Sequence, residues 1–448
     1  MNRITQKLSA LLILITFLTP MEGCSSSPVL DQTPIPSDIP SPVDTPVSIP
    51  SPTLTSIPPT PSENKLDVVI EVVNSSGDPI DRAAVRVFNP NSQEGQAGWT
   101  DEKGSILFGD IAGFPLSISV QALGYLSQKQ IFETLPETPS IRVMLDPDPQ
   151  SDKTCAPEDV YATARYMKMD LYNSIDYQPD IIVFGSSRAY TFSPQYIEQL
   201  TDRRVFNMAI NFGSILDIYY YARYIFARQA DHPPQLLLVE AQINTINQSS
   251  LEGVTPIELW SLLPDENIFQ PEIDLCDHIF DQKLNQKYLD NASNTGSLLW
   301  VFQPDGMALH RPINYKQYQT AVQRQIPSLQ ERALCESLSP IGLEYVQKLI
   351  DLAGQYNTAV IFFRPPFQGD LYHLIHEDAR YKGCSDLLNN FMQGLIEQNK
   401  NAFFRDFSDY EPIISMDFYG FYDGQHFTPE ASNQIIDLLL PDIQSTLE

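Results

Sequence analysis

The sequence predicts an α/β fold: a doubly wound, mostly parallel five-stranded sheet, preceded by a small β-sandwich. Three observations lead to this prediction. Beyond residue 150, short apolar runs alternate with helical patterns, which is the order of parallel strands joined by crossover helices. Residues 65–149 instead contain extended segments separated by Gly, Asn and Pro turns. The first 64 residues show neither pattern and indicate a leader followed by a linker.

Residues 1–24 have the pattern of an export signal. Arg3 and Lys7 supply positive charge, and the apolar run that follows is too short to span a membrane as a helix. Gly23 precedes Cys24, and a small residue before a cysteine at this place resembles a bacterial lipobox. The resemblance implies that Cys24 is lipidated and begins the mature protein; ordinary secretory cleavage is the alternative. We therefore expect an extracytoplasmic, membrane-anchored lipoprotein, at the cell surface or in the periplasm.

Residues 25–64 have the composition of a tether. They carry 11 of the 36 prolines, four acidic residues and no Lys or Arg. Such a segment cannot bury enough apolar surface to offset its chain entropy, so we expect it to stay extended.

The charge and the cysteines limit the partners of the protein. A net charge of −28 over 448 residues disfavours nucleic acid and broad adhesion to anionic lipid, so we expect membrane contact only through the N-terminal lipid. Export permits disulfides, and the four cysteines after the lipobox could form two bridges or remain free thiols. These are Cys155, Cys276, Cys335 and Cys384. No Cys/His pattern suggests a metal, and no cofactor is expected.

The segment 65–149 is predicted to be all-β. Extended runs at 67–73 and 84–88 flank a turn, and Thr100-Asp101-Glu102-Lys103-Gly104 leads into another apolar strand before Gly124-Tyr125. This order resembles the carboxypeptidase regulatory-like domain, a small prealbumin-type sandwich. The resemblance implies a spacer or a module that binds carbohydrate or protein.

The segment 150–448 is predicted to contain the parallel sheet. Helical spacing of apolar residues predicts a helix at 215–226, and Ser339-Pro340 and Thr428-Pro429 have the residues that begin helices. Residues 249–338 exceed a simple crossover, and we interpret them as an insertion that caps or walls a cleft, with a helix near 272–289. The five predicted strands are 180–184, 205–209, 236–240, 358–363 and 402–406.

Two motifs point to nucleophilic chemistry. Gly185-Ser186-Ser187-Arg188 directly follows the first of these strands, and the turn after a parallel strand lies where open α/β sheets bind ligands. A serine becomes a nucleophile only when a base removes its proton, and a histidine oriented by a carboxylate does this. Asp423-Gly424-Gln425-His426 supplies that pair just before the last helix. Together the motifs are typical of a serine esterase.

From about Asp180 to the C-terminus, the chain resembles the SGNH (GDSL-type) hydrolase superfamily, which has a flavodoxin-like sheet. Gly185-Ser186-Ser187 is similar to its first block, and the Asp-x-x-His motif is similar to its last. The resemblance implies that Ser187 is the nucleophile, His426 the base and Asp423 the orienting acid. Ser186 stands where the family usually has Asp. A Gly-Ser-Ser form occurs in relatives that handle acyl groups on exported polymers, and also in relatives that have drifted from catalysis.

The resemblance also implies donors for the developing oxyanion. The backbone N–H of Ser187 is one, and Gly213 and Asn244 are the candidates after the second and third strands. Arg188 and Arg364 follow strands at the same edge of the sheet. Each is either a contact for an anionic part of the substrate or a structural ion-pair partner.

These features predict a tethered serine esterase or O-acyltransferase. Its substrate is expected to be a small ester or an acylated carbohydrate outside the cytoplasm. The rival interpretation is a binding or assembly lipoprotein on a scaffold that has lost its chemistry, which Ser186 and the missing Gly of the third block favour. Lipid-ester hydrolysis is a third possibility, although the sequence shows no apolar lid.

Overall fold

The structure, a computed structural model, describes residues 65–134, 140–149, 164–247, 256–263, 300–310, 313–332 and 337–448. All of them belong to one compact unit, Pro61–Glu448. The predicted leader, tether and helix near 272–289 lie outside the described residues. Cys384 is disulfide-bonded, and the other cysteines, Cys24 included, also lie outside them. None of the described helices combines the length and apolar character that a membrane crossing needs.

The segment before residue 150 forms two sheets that share one apolar core. Strand β1 lies between β4 and β7 in one sheet, and the other has the order β3-β2-β5-β6. Alternate residues of β1, namely Val68, Ile70 and Val72, point into the core, as the two-residue period of a strand requires. The strands are β1 (Lys65–Asn74), β2 (Ala84–Asn89), β3 (Glu94–Trp99), β4 (Ser105–Ala112), β5 (Leu116–Gln121), β6 (Gln128–Phe132) and β7 (Ser140–Leu145).

The second part of the chain is built on a five-stranded parallel sheet, which confirms the predicted α/β class. Its order is β14-β13-β10-β8-β9, and every neighbouring pair is parallel. The sheet therefore begins at its inner strand β8 and winds outward in both directions. Its strands are β8 (Ile181–Phe184), β9 (Val205–Asn207), β10 (Leu236–Glu240), β13 (Ala359–Arg364) and β14 (Ala402–Asp406); β11 (Trp300–Phe302) and β12 (Ala308–His310) form a separate hairpin.

Helices cover both faces of this sheet. On β8, Ile182 and Phe184 face one apolar cluster, whereas Ile181 and Val183 face the other. Both faces are therefore buried, which explains why the strand is apolar throughout. The helices are α1 (Ala164–Ser174), α2 (Pro194–Thr201), α3 (Ile215–Arg228), α4 (Ile243–Asn247), α5 (Ile257–Trp260), α6 (Tyr315–Arg332), α7 (Pro340–Gln355), α8 (Gly369–His376), α9 (Ala379–Gln398), α10 (Glu411–Ile414) and α11 (Pro429–Leu447).

Side-chain caps fix the beginnings of three helices that pack on the sheet. Ser214 and Asp217 form a reciprocal capping box at the start of α3, which satisfies two backbone donors at once. Ser339 caps α7, and Thr428 caps α11 with Pro at the first helical position. The loops that enter these helices are thereby held in one conformation.

Candidate active site

The turn after β8 holds Ser187 at the carboxyl edge of the sheet. Gly185 leaves the strand so close to β10 that a Cβ there would lie 2.8 Å from Glu240 Oε2. Ser186 then caps a single 3₁₀ turn, Ser187–Ala189, and its Oγ accepts the backbone N–H of Arg188 at 3.3 Å. Glycine is thus needed for the close approach, and the cap fixes the backbone from which Ser187 projects.

Ser187, His426 and Asp423 form one path of hydrogen bonds, although 239 residues separate the first two. Ser187 Oγ lies 2.8 Å from His426 Nε2, and His426 Nδ1 lies 2.7 Å from Asp423 Oδ2. A carboxylate can only accept, so Nδ1 donates to Asp423 and leaves Nε2 to accept the Ser187 hydroxyl. This tautomer is the one a general base needs.

Asp423 is surrounded by donors. Besides the imidazole, it accepts the backbone N–H groups of His426 at 3.0 Å and Gln425 at 3.3 Å, and Gln325 Nε2 at 3.0 Å. Burial alone would raise the pKa of Asp423, but the charge of His426 and these hydrogen bonds outweigh it and lower the pKa to about 2. Asp423 is therefore an ionised acceptor at neutral pH, able to stabilise an imidazolium.

The loop that carries the pair is closed at both ends. Phe421 and Phe427 form an antiparallel bridge, and the Tyr422 N–H donates to the His426 carbonyl at 2.9 Å. Gly424 has a φ of 88°, and a Cβ there would lie 2.5 Å from Leu371 Cδ1. The Asp-Gly-Gln-His turn therefore requires its glycine.

Glu240, at the end of β10, fixes the turn that carries Ser187 through hydrogen bonds to Ser186. Its Oε2 accepts both the backbone N–H and the Oγ–H of Ser186, each at 2.8 Å, and only 1% of Glu240 is exposed. An aspartate at position 186 would put a second carboxylate against this buried one. A neutral residue that can donate, as Ser186 does, is therefore suited to the position beside Glu240. Sequence reasoning missed this residue, although an acid ending an otherwise apolar strand was a usable signal.

We expect Ser186→Asp to lower the free energy of unfolding by about 3 kcal/mol, because it removes a donor from a buried carboxylate and adds a like charge. Chemical denaturation of the purified variant measures this. Ser186→Asn is the matched control: it has the size of Asp, is neutral and can still donate. Adding Glu240→Gln to Ser186→Asp should restore part of the loss. Equal stability of the Asp and Asn variants would contradict the pairing.

The structure supports the predicted structural role of Arg188 over the predicted contact with an anionic part of the substrate. Its side chain is buried and lies 4.2 Å over the Phe367 ring. Nε donates to the carbonyl of Gln425 at 3.0 Å, and Nη2 donates to the carbonyl of Pro366. Burial lowers the pKa of Arg188 to about 10, and the nearby Glu240 charge opposes the change. Arg188 thus ties the histidine loop to the loop after β13 and helps to position His426.

Arg364 is also a structural residue rather than a cleft residue. None of it is exposed. Its guanidinium donates to Tyr381 at 2.8 Å and Ser385 at 2.7 Å on α9, and lies 3.4 Å from Asp406 on β14. The prediction of a substrate contact here is wrong, because packing of α9 covers the end of β13.

Of the three predicted oxyanion donors, two remain available. No hydrogen bond of the Ser187 backbone N–H is found within the described ranges. The Gly213 N–H is used in a turn, where it donates to the Ile210 carbonyl at 3.1 Å, so it is not offered to an oxyanion. Its lack of a side chain serves packing, since a Cβ would lie 2.5 Å from the Gly185 carbonyl oxygen. The Asn244 side chain, on α4 just after β10, bonds to none of the residues that the structure describes.

The predicted insertion contributes two residues beside the triad. Trp300, on β11, meets the His426 ring edge-on with centroids 5.3 Å apart. Gln325, on α6, bonds Asp423 and also accepts Gln425 Nε2 at 2.8 Å. Sequence reasoning did not find either role. Among the described side chains, no group of three or more His, Cys, Asp or Glu residues could hold a metal ion.

No family model and no curated protein matches the chain. It is similar to the solved structure of a GDSL-like lipase from Bacteroides thetaiotaomicron (10% identity, 62% of this chain, 98% of that chain, TM-score 0.32). It is also similar to the solved structure of a Bacteroides fragilis protein described as an acylhydrolase (13% identity, 66% of this chain, 100% of that chain, TM-score 0.32). With the Bacillus anthracis TIE protein it shares 19% identity over 18% of this chain and 16% of that one, at a TM-score of 0.16. At these identities and TM-scores the comparisons carry no functional argument, so the function is argued below from the geometry of the site.

Proposed function

We propose that the protein is a serine esterase or O-acyltransferase of the SGNH type. In this proposal Ser187 is the nucleophile, His426 the general base and Asp423 the orienting acid. The observation that carries it is the continuous hydrogen-bonded path from Ser187 Oγ through the imidazole to Asp423. A second support is its place at the carboxyl edge of a parallel sheet, where a ligand can reach it.

The first half of the reaction forms an acyl-enzyme. Ser187 Oγ attacks the ester carbonyl carbon while its proton passes to His426 Nε2. The oxyanion that develops is held by the Ser187 N–H and the Asn244 side chain. The proton on Nε2 then moves to the alcohol oxygen as the carbon–oxygen bond breaks, and the alcohol leaves.

The second half returns Ser187 to its starting state. Water or the hydroxyl of an acceptor gives its proton to His426 Nε2 and attacks the acyl carbon. Collapse of the second tetrahedral intermediate returns this proton to Ser187 Oγ. Water yields the free acid, and an acceptor alcohol yields a new ester; the triad performs the same proton transfers in both cases.

We further propose that the substrate is an acyl ester on a carbohydrate outside the cytoplasm. The export signal and the proline-rich tether support this compartment, and the Gly185-Ser186-Ser187 block resembles relatives that handle acyl groups on exported polymers. The two-sheet segment before residue 150 would serve as a spacer or a binding module. The test is release of acetate from an O-acetylated oligosaccharide by the purified protein, with Ser187→Ala as the control.

The proposed anchor gives a separate prediction. Cys24→Ala should prevent lipidation, so the protein should be released from membranes or accumulate with its leader uncleaved. Fractionation of cells and mass determination of the N-terminal peptide measure both results. Wild type should carry diacylglycerol on Cys24, and Ser415→Ala, which leaves the leader unchanged, should fractionate as wild type does. A Cys24→Ala protein that stays in the membrane fraction with a processed N-terminus would contradict the anchor.

The second candidate is a binding or assembly lipoprotein with a retired site. The use of the Gly213 N–H in a turn favours it, because an oxyanion donor implied by the family resemblance is then missing. This candidate expects carbohydrate binding that Ser187→Ala leaves intact, with no turnover of any ester. Acetate release that depends on Ser187 would exclude it.

A further inference from the structure

A groove of about 490 Å³ adjoins the triad on its Asp423 side. One wall is a face of α6, and the other includes His310 and Tyr422, whose rings stack with centroids 4.6 Å apart. This volume is in the range of small-molecule sites and accommodates about two sugar rings. Neither the proposed chemistry nor the packing of the core accounts for it.

Two cations lie on the α6 wall. Lys316, Thr320 and Arg324 recur every four residues, so they share one face of the helix. Lys316 and Arg324 are exposed and about 12 Å apart along the axis. Within the described ranges, neither has a carboxylate at salt-bridge distance. Two unpaired cations in one groove are unexpected on a chain whose net charge is −28.

The carboxylate in the groove wall does not offset these cations. Asp423 is bonded to the His426 imidazole at 2.7 Å and to Gln325 at 3.0 Å, so its charge is already directed into the triad. The remaining lining residues contribute no further carboxylate. The groove therefore favours a ligand that carries negative charge, at separations that suit a chain rather than a single small anion.

The groove lies on the opposite side of the His426 ring from Ser187, and its lining contains neither of these two residues. Only the His426 ring separates Asp423 in its wall from Ser187, and His426 gives its proton to the leaving oxygen. The leaving oxygen therefore lies at the Nε2 end of the ring, and only the further sugars of the same glycan, beyond the one that carries the acyl group, extend past the ring to the groove. Gln325 belongs both to the groove wall and to the hydrogen bonds of Asp423, so the wall and the triad are joined by a direct contact.

We propose that this groove binds an acidic oligosaccharide, the alcohol part of the ester, through Lys316 and Arg324. The inference rests on the proposed esterase or acyltransferase function and adds its substrate class: an acylated glycan whose sugars carry negative charges. The stacked His310 and Tyr422 rings form the aromatic part of the opposite wall.

The experiment compares two esters of matched length, O-acetylated oligogalacturonate and the neutral O-acetylated xylo-oligosaccharide. Wild type should favour the acidic ester in kcat/KM. The acidic-to-neutral ratio should fall about fivefold in Lys316→Gln and in Arg324→Gln, and by their product in the double variant, as loss of an exposed charge contact predicts. Salt should lower the wild-type ratio as well. Lys382→Gln, an exposed lysine on α9, is the matched control and should keep the wild-type ratio. A ratio unchanged in the double variant overturns the proposal.

A binding measurement separates failure of the groove from failure of the enzyme. Unacetylated oligogalacturonate is titrated into Ser187→Ala, alone and combined with Lys316→Gln and Arg324→Gln, so no turnover is needed. We expect binding that the two cation substitutions weaken about twentyfold. Absent binding, or equal binding in both proteins, overturns the groove even if esters are cleaved. Binding that needs the cations in a protein that cleaves neither ester supports the groove and contradicts the proposed function.

Discussion

Ser187→Ala and His426→Ala are each expected to lower kcat for ester turnover by about a million-fold, which is nearly all of the catalysed rate. Alanine at 187 removes the atom that forms the acyl-enzyme. Alanine at 426 removes the only base within hydrogen-bond reach of that atom in the described part of the chain, 2.8 Å away. Because the two residues act as one unit, the double variant should be no slower than either single variant.

Acetate release from an O-acetylated oligosaccharide, followed at saturating substrate, measures this loss. Ser415→Ala and His373→Ala are the matched controls, since both positions lie outside the hydrogen bonds of the triad. Circular dichroism should show that all variants are folded. Residual activity equal to wild type in either triad variant would remove that residue from the mechanism.

Asp423→Asn is expected to lower kcat by about ten-thousand-fold while the structure stays intact. Asparagine can turn its NH₂ group toward His426 Nδ1, which then accepts a hydrogen bond instead of donating one. The proton moves to Nε2, and the base can no longer take the hydrogen of Ser187. The backbone N–H groups of Gln425 and His426 donate to Asp423 Oδ1, so they hold the amide oxygen of the variant there and direct its NH₂ group toward the imidazole.

The pH dependence distinguishes this effect from general damage. The pKa of Asp423 is about 2, so its carboxylate is ionised in wild type at about pH 4 and above, and its protonation cannot cause an activity loss there. This lowered pKa stabilises the fold above the unfolded-state pKa, and that stability is lost as the pH falls toward 2. Asp423→Asn should lack this acid-dependent loss. Asp437→Asn, on the exposed face of α11, should retain it along with full activity. Wild-type kcat in Asp423→Asn would contradict the orienting role.

The sheet could be predicted from sequence because its strands are buried on both faces. Ile181–Phe184 and Leu236–Glu240 are short, nearly continuous apolar runs. Because helical segments lie between them in the sequence, the pattern predicts parallel strands joined by crossover helices. The meeting of Ser187 with the Asp423–His426 turn follows from the same topology together with the family resemblance.

The remaining features depend on contacts that no local pattern encodes. Arg188 and Arg364 follow strands at the site's edge, yet Phe367 and Tyr381 cover them, and tertiary packing alone decides that. Gln325 donates to Asp423 although 98 residues of sequence separate the two, and no motif around Gln325 indicates this contact. The pairing of Ser186 with Glu240 requires knowing that β8 and β10 are neighbours in register.

Labelling with a fluorophosphonate tests the central claim most directly, because it needs no knowledge of the acyl group or the glycan. The reagent phosphonylates a serine only when a base activates it, with loss of fluoride. We expect wild type to gain one adduct, located on the peptide that contains Ser187, and to lose esterase activity in proportion. His426→Ala should react far more slowly, and Ser187→Ala should gain no adduct. An intact wild-type protein that takes up no label, or labelling that persists undiminished in Ser187→Ala, would contradict the assignment of Ser187 as an activated nucleophile.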